Sequence, residues 1–190
     1  MTNKYEIIDV RPSNVSETGF FCFMSKRKSE GFRRKLGWVR SRFDEGMRIK
    51  MLKLPERGFI EYLPGEYAWR AVDAKGFIFI HCLWVVGRSK GKGFGAMLLN
   101  ECIRDAKRDG LAGVAMVTSE GTWLARKKPL LKLGFEAVAE APPSFSLVVK
   151  KFRAAPSPSP YGVFNVVLDG RFLGYRYLLK EEFFQMLERS

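Results

Sequence analysis

The sequence predicts an α/β fold in which a mixed, twisted central sheet is flanked by helices and followed by a C-terminal β-hairpin–helix appendage. Three observations predict it. Residues 77–86 are almost continuously apolar, residues 87–95 (GRSKGKGFG) form a glycine-rich turn, and apolar side chains then recur at helical spacing. A second apolar strand at residues 111–118 completes a β-α-β unit, whose two strands are expected to be parallel.

The elements before this unit are predicted from local patterns. Residues 5–10 are predicted to form a first strand, and residues 13–28 show no regular pattern. Ser29 is a candidate N-cap for a helix, and strands follow at residues 48–54 and 57–64. The apolar face of the predicted helix comprises Phe32, Leu36, Val39 and Phe43.

The remaining elements are shorter. Residues 65–71 (GEYAWRA) are predicted to form an aromatic loop or a short helix before the apolar run. After the second parallel strand, residues 119–123 are expected to open a short helix that ends near Gly134. Residues 135–141 and 145–152 are predicted to form a pair of strands.

Composition limits the class of protein. The chain has 190 residues, of which 46% are hydrophobic, so it can form one packed domain plus an appendage. No apolar stretch is long enough to span a membrane, and the first ten residues lack the apolar centre of a signal peptide. Cys22, Cys82 and Cys102 are an odd number without C-x-x-C spacing. We therefore expect a cytoplasmic protein with no membrane association, no disulfide framework and no metal.

The glycine-rich turn has the features of an anion site. Glycines allow a tight bend and a close approach to a ligand, and the amides that begin a helix point outward without partners. Three cations, Arg88, Lys90 and Lys92, add positive charge. The expected ligand is a phosphate or pyrophosphate. The glycine spacing does not match a nucleotide-binding P-loop, and it matches a dinucleotide fingerprint only if Ala96 replaces the third glycine.

The order Arg88-x-x-Gly91-x-Gly93 after an apolar strand resembles the R/Q-x-x-G-x-G/A motif of the GNAT family of N-acetyltransferases. The resemblance implies that the turn binds the pyrophosphate of acetyl-CoA. It also implies that the two parallel strands splay apart and that the pantetheine arm pairs with the backbone at the end of the first strand. The implied coenzyme-binding residues are Trp84, Val85, Val86, Arg88, Ser89, Lys90, Gly91, Lys92, Gly93, Phe94, Gly95 and Trp123.

Longer segments resemble the acetyltransferase portion of YoaP-like proteins, including SKRKSEG, GEYAWRAV, MVTSEGTW and APPSFSLVVKKF. The L-G-F ending at residues 133–135 is similar to a second segment of the GNAT family. Many members of that family carry a tyrosine four residues before this glycine, as a general acid for the departing thiolate. Leu130 occupies that position here, so the tyrosine role is not transferred.

The implied reaction transfers an acetyl group from acetyl-CoA to a primary amine of a small-molecule or peptide acceptor by direct attack. A general base must accept a proton from the amine, and Glu61 and Glu120 are the catalytic candidates, with Glu66 as a further carboxylate. Cys82 follows His81 in the apolar run, so strict alternation predicts that the two side chains face opposite sides of the strand. Cys82 is not expected to be a nucleophile, because the chain has no second histidine and nothing near it in sequence lowers the pKa of its thiol.

An acceptor pocket is implied near the aromatic segment, with Tyr62, Tyr67, Trp69 and His81 as its candidate residues. Two alternatives stay open at this point. The aromatic side chains could instead seal the edge of the sheet, and His81, which lies inside an apolar run, could be a structural histidine.

A second hypothesis belongs to a different class. The net charge of +13 and the cations clustered at residues 26–53 would suit a non-catalytic basic module that binds RNA. Against it, the aromatic side chains near these cations fit the apolar helix face and do not form an exposed stacking platform. A nucleic-acid partner is therefore not the expected one.

The chain is expected to divide into three parts. Residues 1–153 form the acetyltransferase-like domain, and residues 154–160 (AAPSPSP) form an extended linker. Residues 161–190 resemble the end of the thioredoxin-like region of YoaP-like proteins, as a shortened tail for which no redox function is expected. In this tail the dipeptide Asp169-Gly170 predicts a hairpin, followed by a helix at residues 181–188. We expect the tail to pack on the main domain or on a second copy of the chain, as in a homodimer.

Overall fold

The structure is a computed structural model that describes residues 5–21, 26–70, 72–122, 124–154, 158, 166–168 and 171–174. The described chain contains a seven-stranded sheet and a two-stranded hairpin. The strands of the sheet are β1 (Ile7–Val10), β2 (Arg48–Leu52), β3 (Gly58–Pro64), β4 (Phe77–Val85), β5 (Gly113–Ser119), β6 (Glu136–Ala141) and β7 (Phe145–Lys151). The helices are α1 (Val15–Thr18), α2 (Glu30–Phe43), α3 (Phe94–Arg108) and α4 (Lys127–Lys132).

The strands of the large sheet lie in the order β1-β2-β3-β4-β5-β7-β6. The β4 and β5 strands run parallel, and the other neighbouring pairs are antiparallel. The helix α3 connects the two parallel strands. The predicted mixed sheet and its β-α-β unit are therefore confirmed.

The helix α2 covers one face of the sheet. It begins as predicted, because the Ser29 side chain accepts a hydrogen bond of 3.2 Å from the Phe32 amide. Phe32 and Val39 are buried against the sheet, and Leu36 and Phe43 pack at the margin of the same cluster. Burial of this stripe holds α2 in place, since a single amphipathic helix gains most of its stability from packing.

The helix α3 covers the opposite face. Leu98, Leu99 and Cys102 are fully buried, and they pack with β-strand side chains such as Ile60 and Ile80. The helix α4 adds Leu130 to this cluster. The first turn of α3 therefore emerges at a fixed position beside the end of β4.

Two elements differ from the sequence prediction. The helix α1 forms one turn inside residues 13–28, because the Asn14 side chain accepts from the Arg11 amide at 2.8 Å and donates to the Asp9 carbonyl at 2.9 Å. The helix α4 begins later than predicted, at Lys127, because the preceding residues close into a loop. In that loop the Ser119 amide donates to the Ala125 carbonyl at 3.1 Å.

In the tail, β8 (Val166–Leu168) and β9 (Arg171–Gly174) pair antiparallel, as the hairpin prediction requires. The turn at Asp169-Gly170 and the helix predicted at residues 181–188 lie outside the described residues. Within the described ranges, no helix combines the length and the apolar character needed to span a bilayer.

Candidate functional site

The glycine-rich turn connects β4 to α3 through one turn of 3-10 helix, Gly87–Ser89. Its backbone enters the left-handed region three times, with φ of +58° at Gly87, +77° at Gly91 and +81° at Gly93. A Cβ atom at these positions would meet no heavy atom within 4 Å. Glycine is therefore required by the backbone conformation, because L side chains are strained at such φ values, and the surface of the turn is open to a ligand.

The start of α3 faces this turn. Gly93 is the N-cap, and its carbonyl accepts the first helical hydrogen bond, from the Met97 amide at 3.1 Å. The earlier amides of an α-helix have no acceptor inside the helix, and the positive end of the macrodipole adds to them. Arg88 and Lys90 are exposed on the same turn. The residues present therefore fit a pyrophosphate.

Two predicted coenzyme-binding side chains point away from this surface. Ser89 is buried, with its hydroxyl between the Arg57 amide (2.9 Å) and the Glu56 carboxylate (2.6 Å). Phe94 is buried under α3, where its ring contacts that of Tyr5 at a centroid distance of 4.8 Å. At both positions only the backbone can take part in binding, and the side chains hold the turn in shape.

The parallel strands separate beside the turn. They pair from Phe77 and Gly113 as far as Ile80 and Met116, yet β4 continues to Val85 and β5 to Ser119. The last residues of both strands thus border a gap in the sheet. A gap of this kind leaves strand-edge amides and carbonyls available to an extended ligand.

The direction of the amides on β4 decides which of them face the gap. The Val86 amide donates to the Arg57 carbonyl at 3.0 Å, so it points toward β3 and is already bonded. Neighbouring amides along a strand point to opposite edges. The Val85 amide therefore points to the gap. Of the two predicted coenzyme-binding residues Val85 and Val86, it is Val85 whose amide faces a ligand in the gap.

A β-bulge interrupts the pairing of β3 with β4 near the middle of the sheet. Glu61 lies opposite Cys82 and Tyr62 lies opposite Ile80, so His81 is the extra residue. The sequence predicts that His81 and Cys82 face opposite sides of the strand, and this is wrong. His81 contacts Trp69, which packs on α2, and Cys82 packs against the cluster under α2.

His81 is enclosed by aromatic rings. Its ring stacks on Trp69 at a centroid distance of 3.6 Å and an angle of 8°, and it meets Phe79 edge-on at 4.8 Å. The side chain is 3% exposed, and neither ring nitrogen has a hydrogen-bond partner among the described residues. Burial, helped by the charges of Arg70 and Lys35, lowers the pKa of His81 to about 2. The imidazole is therefore neutral.

Glu61 is buried, and it lies on the same side of the sheet as Cys82 because the two residues are directly opposite each other in β3 and β4. Burial raises the pKa of its carboxyl above the ordinary value of 4.5, and the charges of Lys35 and Arg70 oppose that shift. A carboxylate with a raised pKa is a stronger base than an exposed one. The other catalytic candidate, Glu120, is exposed, accepts from the Lys127 amide at 3.3 Å and lines a cavity of about 500 Å³ beyond β5.

The predicted pocket residues have different environments. Tyr67 and Trp69 are partly exposed, as is the predicted coenzyme contact Trp84. Tyr62 is fully buried on the α3 face, where its hydroxyl donates to Asp105 at 2.5 Å. The placement of Tyr62 in an acceptor pocket is therefore corrected, because this side chain is part of the core.

Other predicted features can be located. Among the described residues, Cys82 and Cys102 take part in no disulfide, and Leu130, where many GNAT members have a tyrosine, is buried. Cys22 and the predicted coenzyme contact Trp123 lie outside the described residues. In the part of the chain that the structure describes, no three His, Cys, Asp or Glu side chains are grouped so that they could hold a metal ion.

A model of the acetyltransferase (GNAT) family matches residues 26–135, more than half of the 190 residues. The chain belongs to the GNAT family. The match includes the splayed strands, the glycine-rich turn and the bulge at His81, so it covers the site described above.

Individual proteins are similar to this GNAT chain. Over 144 residues, or 74% of its length, it is 34% identical to the uncharacterized N-acetyltransferase YoaP of Bacillus subtilis. The chain spans 57% of the length of that relative.

Two solved structures share the fold. One is YncA from Salmonella typhimurium with its cofactor acetyl-CoA, at a TM-score of 0.57 and 14% identity, covering 83% of this chain and 99% of that one. The other is the PaiA N-acetyltransferase from Thermoplasma acidophilum in complex with coenzyme A, at a TM-score of 0.52 and 15% identity, covering 79% and 100%.

The RNA-binding hypothesis is not favoured by these findings. The family match includes α2, the most basic helix. Several cations of α2 have partners within the protein. Arg34 pairs with Glu30 at 2.5 Å, and the Lys35 ammonium lies 3.7 Å from the centre of the Trp38 ring.

One residue of the site has no signal in the sequence. Glu56 lies in the loop between β2 and β3, yet its carboxylate contacts Ser89 and Lys92 of the glycine-rich turn. No motif or periodicity marks a single glutamate in a loop. The contact joins residues more than 30 positions apart, so only the pairing of β3 with β4 reveals it.

Proposed function

We propose that this protein is an N-acetyltransferase that transfers an acetyl group from acetyl-CoA to a primary amine of a small molecule or peptide. The observation that carries the proposal is the open glycine turn at the start of α3, beside the gap between β4 and β5. The glycine-rich turn can bind a polyanion, and the gap beside it exposes the edge of β4 to an extended ligand. Acetyl-CoA has the matching parts, a pyrophosphate and an extended pantetheine arm.

In this proposal the coenzyme is held mainly by backbone. The amides of the turn and of the first turn of α3 bind the pyrophosphate, with Arg88, Lys90 and Lys92 as cations around it. The pantetheine arm lies along the β4 edge of the gap, near Trp84 and Val85. Trp123 stays a proposed coenzyme contact on the strength of the family resemblance alone.

The chemical step needs a base and a donor to the thioester carbonyl. The Val85 amide, which points to the gap, donates to the carbonyl oxygen and stabilises the negative charge that develops there. The amine nitrogen attacks the carbonyl carbon, the carbon–sulfur bond breaks, and coenzyme A leaves as a thiolate. Glu61 accepts the proton of the amine, directly or through water.

The acceptor is proposed to approach from the α2 face of the sheet. Glu61 and His81 lie on that face, and Trp69 and Tyr67 are partly exposed beside them. A neutral His81 can accept or donate one hydrogen bond to the acceptor without repelling a cationic amine. We propose these four residues as the acceptor side of the site.

The first test is calorimetric titration of the protein with acetyl-CoA, repeated with Gly93→Val. We expect binding by the wild-type chain and its loss in the variant, because a β-branched residue at φ of +81° displaces the amides that face the pyrophosphate. Gly110→Val is the matched control. Gly110 has a φ of +69° and similar free space, and it follows the far end of α3.

The Gly110→Val control distinguishes a general loss of stability caused by backbone strain from a specific loss of the coenzyme site. If both variants lose affinity, the effect is general destabilisation, and if neither does, the proposed pyrophosphate position is wrong. Release of free thiol from acetyl-CoA in the presence of a panel of amines then tests the transfer itself. Coenzyme binding without thiol release for any class of amine would contradict the proposed acceptor chemistry.

A further inference from the structure

A single carboxylate connects the β2–β3 loop to the glycine-rich turn. One oxygen of Glu56 accepts from the Ser89 hydroxyl at 2.6 Å, and the other accepts from the Lys92 ammonium at 2.9 Å. The Ser89 hydroxyl accepts in turn from the Arg57 amide at 2.9 Å. The carboxylate of Glu56 therefore holds both Ser89 and Lys92 of the glycine-rich turn.

The backbone supports this connection. The Arg57 carbonyl accepts from the Val86 amide at 3.0 Å, just before the turn begins. Gly58 lies so close to β4 that a Cβ atom there would be 3.0 Å from the Trp84 carbonyl oxygen. The loop thus lies directly against the end of β4, and its position fixes where Ser89 is.

An acidic residue is unexpected at this place. The turn is otherwise cationic, and its proposed ligand is a polyanion, which a nearby carboxylate repels. Hydrogen bonds from Ser89 and Lys92 hold the pKa of Glu56 below its ordinary value, so the group is charged at neutral pH. Its presence requires a benefit that outweighs the repulsion.

We propose that Glu56 is a positioning residue for the coenzyme, which holds Ser89 and Lys92 in the free protein and releases Lys92 to the pyrophosphate on binding. The inference rests on the proposed coenzyme site. Lys92 is suited to such an exchange, because its side chain is 46% exposed and partly exposed ion pairs are weak. Ser89 is buried and stays bonded to Glu56, so the turn keeps its shape during the exchange.

The proposed exchange of Lys92 predicts different affinities for two substitutions of Glu56. Glu56→Gln keeps an oxygen that can accept from Ser89 but removes the charge that competes for Lys92. We expect it to tighten acetyl-CoA binding by about three- to fivefold, the size expected for one partly exposed ion pair. Glu56→Ala also removes the acceptor of the Ser89 hydroxyl, so we expect it to bind acetyl-CoA more weakly than Glu56→Gln does.

The experiment is calorimetric titration of each full-length variant with acetyl-CoA at one ionic strength. Glu6→Gln is the matched control, because Glu6 also pairs with a lysine, Lys53, at 2.6 Å, but both side chains are more than half exposed and this ion pair does not include a residue of the glycine-rich turn. We expect this control to bind as the wild type does. In a Lys92→Met background, Glu56→Gln should no longer tighten binding, since there is no lysine to release.

Different titration results would contradict the proposed coenzyme site and the proposed role of Glu56. Absence of acetyl-CoA binding by the wild-type chain would overturn the proposed coenzyme site. Wild-type binding that Glu56→Gln leaves unchanged or weakens would overturn the role of Glu56 alone. An equal gain with and without Lys92 would also overturn it, because Glu56 would then act only through general repulsion.

Discussion

At the scale of single residues, burial of the Glu61 carboxylate lowers the stability of the fold at neutral pH and makes the group a stronger base. Its carboxyl is buried under α2, and its pKa is raised by that burial. A folded-state pKa above the unfolded value means that the folded protein holds the proton more tightly. Stability is therefore lost as pH rises above 4.5 and through the folded-state pKa. The same raised pKa makes Glu61 a suitable base.

We predict that Glu61→Gln raises the free energy of unfolding at pH 7.5 and lowers thiol release with an accepted amine by about 100-fold or more. The amide is neutral at every pH, so it removes the desolvation penalty of the ionised carboxylate. Denaturant titrations at pH 5 and 7.5 measure the first effect, and the gain should be larger at pH 7.5. Glu120→Gln is the comparison, and a greater loss of turnover there would transfer the role of base to Glu120.

The pKa of His81 affects the pH dependence of folding stability in the opposite direction to that of Glu61. Its folded-state pKa is about 2, whereas an unfolded histidine titrates near 6.5. Below pH 6.5 the unfolded chain gains a proton that the folded chain does not, so stability falls as pH falls. We predict that His81→Phe reduces this loss, because phenylalanine has no proton to gain and keeps the planar contact with Trp69.

Denaturant unfolding at pH 8 and pH 5 measures the effect of His81→Phe. We expect a gain of about 1 kcal/mol at pH 8, because two ring nitrogens without partners are removed from the interior. The gain should be larger at pH 5. An identical fall in stability between the two pH values in both proteins would contradict the buried, neutral state of His81.

At the scale of elements, local patterns predicted most of the sheet. The apolar run, the glycine turn and the amphipathic helix appear as β4, the open turn and α3, and Ser29 caps α2 as expected. These features are encoded within short windows of sequence. The parallel pairing of β4 and β5 also followed, because a connection through a helix returns the chain in the same direction.

The bulge at His81 could not be predicted in this way. Its position depends on how β3 pairs with β4, and a one-residue shift changes which side chains face α2. Strict alternation therefore assigned Cys82 to the wrong face. The buried state of Tyr62 has the same origin, since its side chain points to α3 once the register is known.

The residues of the candidate site also differ in whether a local sequence pattern could predict them. The glycines and cations of the turn form a contiguous motif, so the sequence predicted them directly. The role of Glu56 depends on contacts between distant segments, and so do the aromatic enclosure of His81 and the orientation of the Val85 amide. Contacts of this kind are set by the assembled sheet, so no local pattern reports them.

At the scale of the whole molecule, the buried clusters of the described chain comprise residues from the first strand to Phe152. Two hydrogen bonds hold residues 152 and 153 against the segment that precedes β5. The Phe152 amide donates to the Ala112 carbonyl at 2.8 Å, and the Arg153 guanidinium donates to the Gly110 carbonyl at 2.7 Å. These contacts support the proposed boundary at residue 153 between an independent acetyltransferase domain and the linker.

We predict that a chain ending at Arg153 unfolds cooperatively, with a melting temperature within a few degrees of the full chain, and binds acetyl-CoA equally well. A chain ending at Lys151 is the matched comparison. It loses the Phe152 ring, which packs against the core and lies 5.1 Å from the Lys107 ammonium, together with both terminal hydrogen bonds. We expect its stability to fall by about 2–4 kcal/mol, because a partly buried aromatic side chain is removed. Scanning calorimetry with and without acetyl-CoA measures both chains. If the Arg153 chain instead lost its cooperative transition, the tail would be part of the folded core, and the proposed division into domain, linker and tail would be wrong.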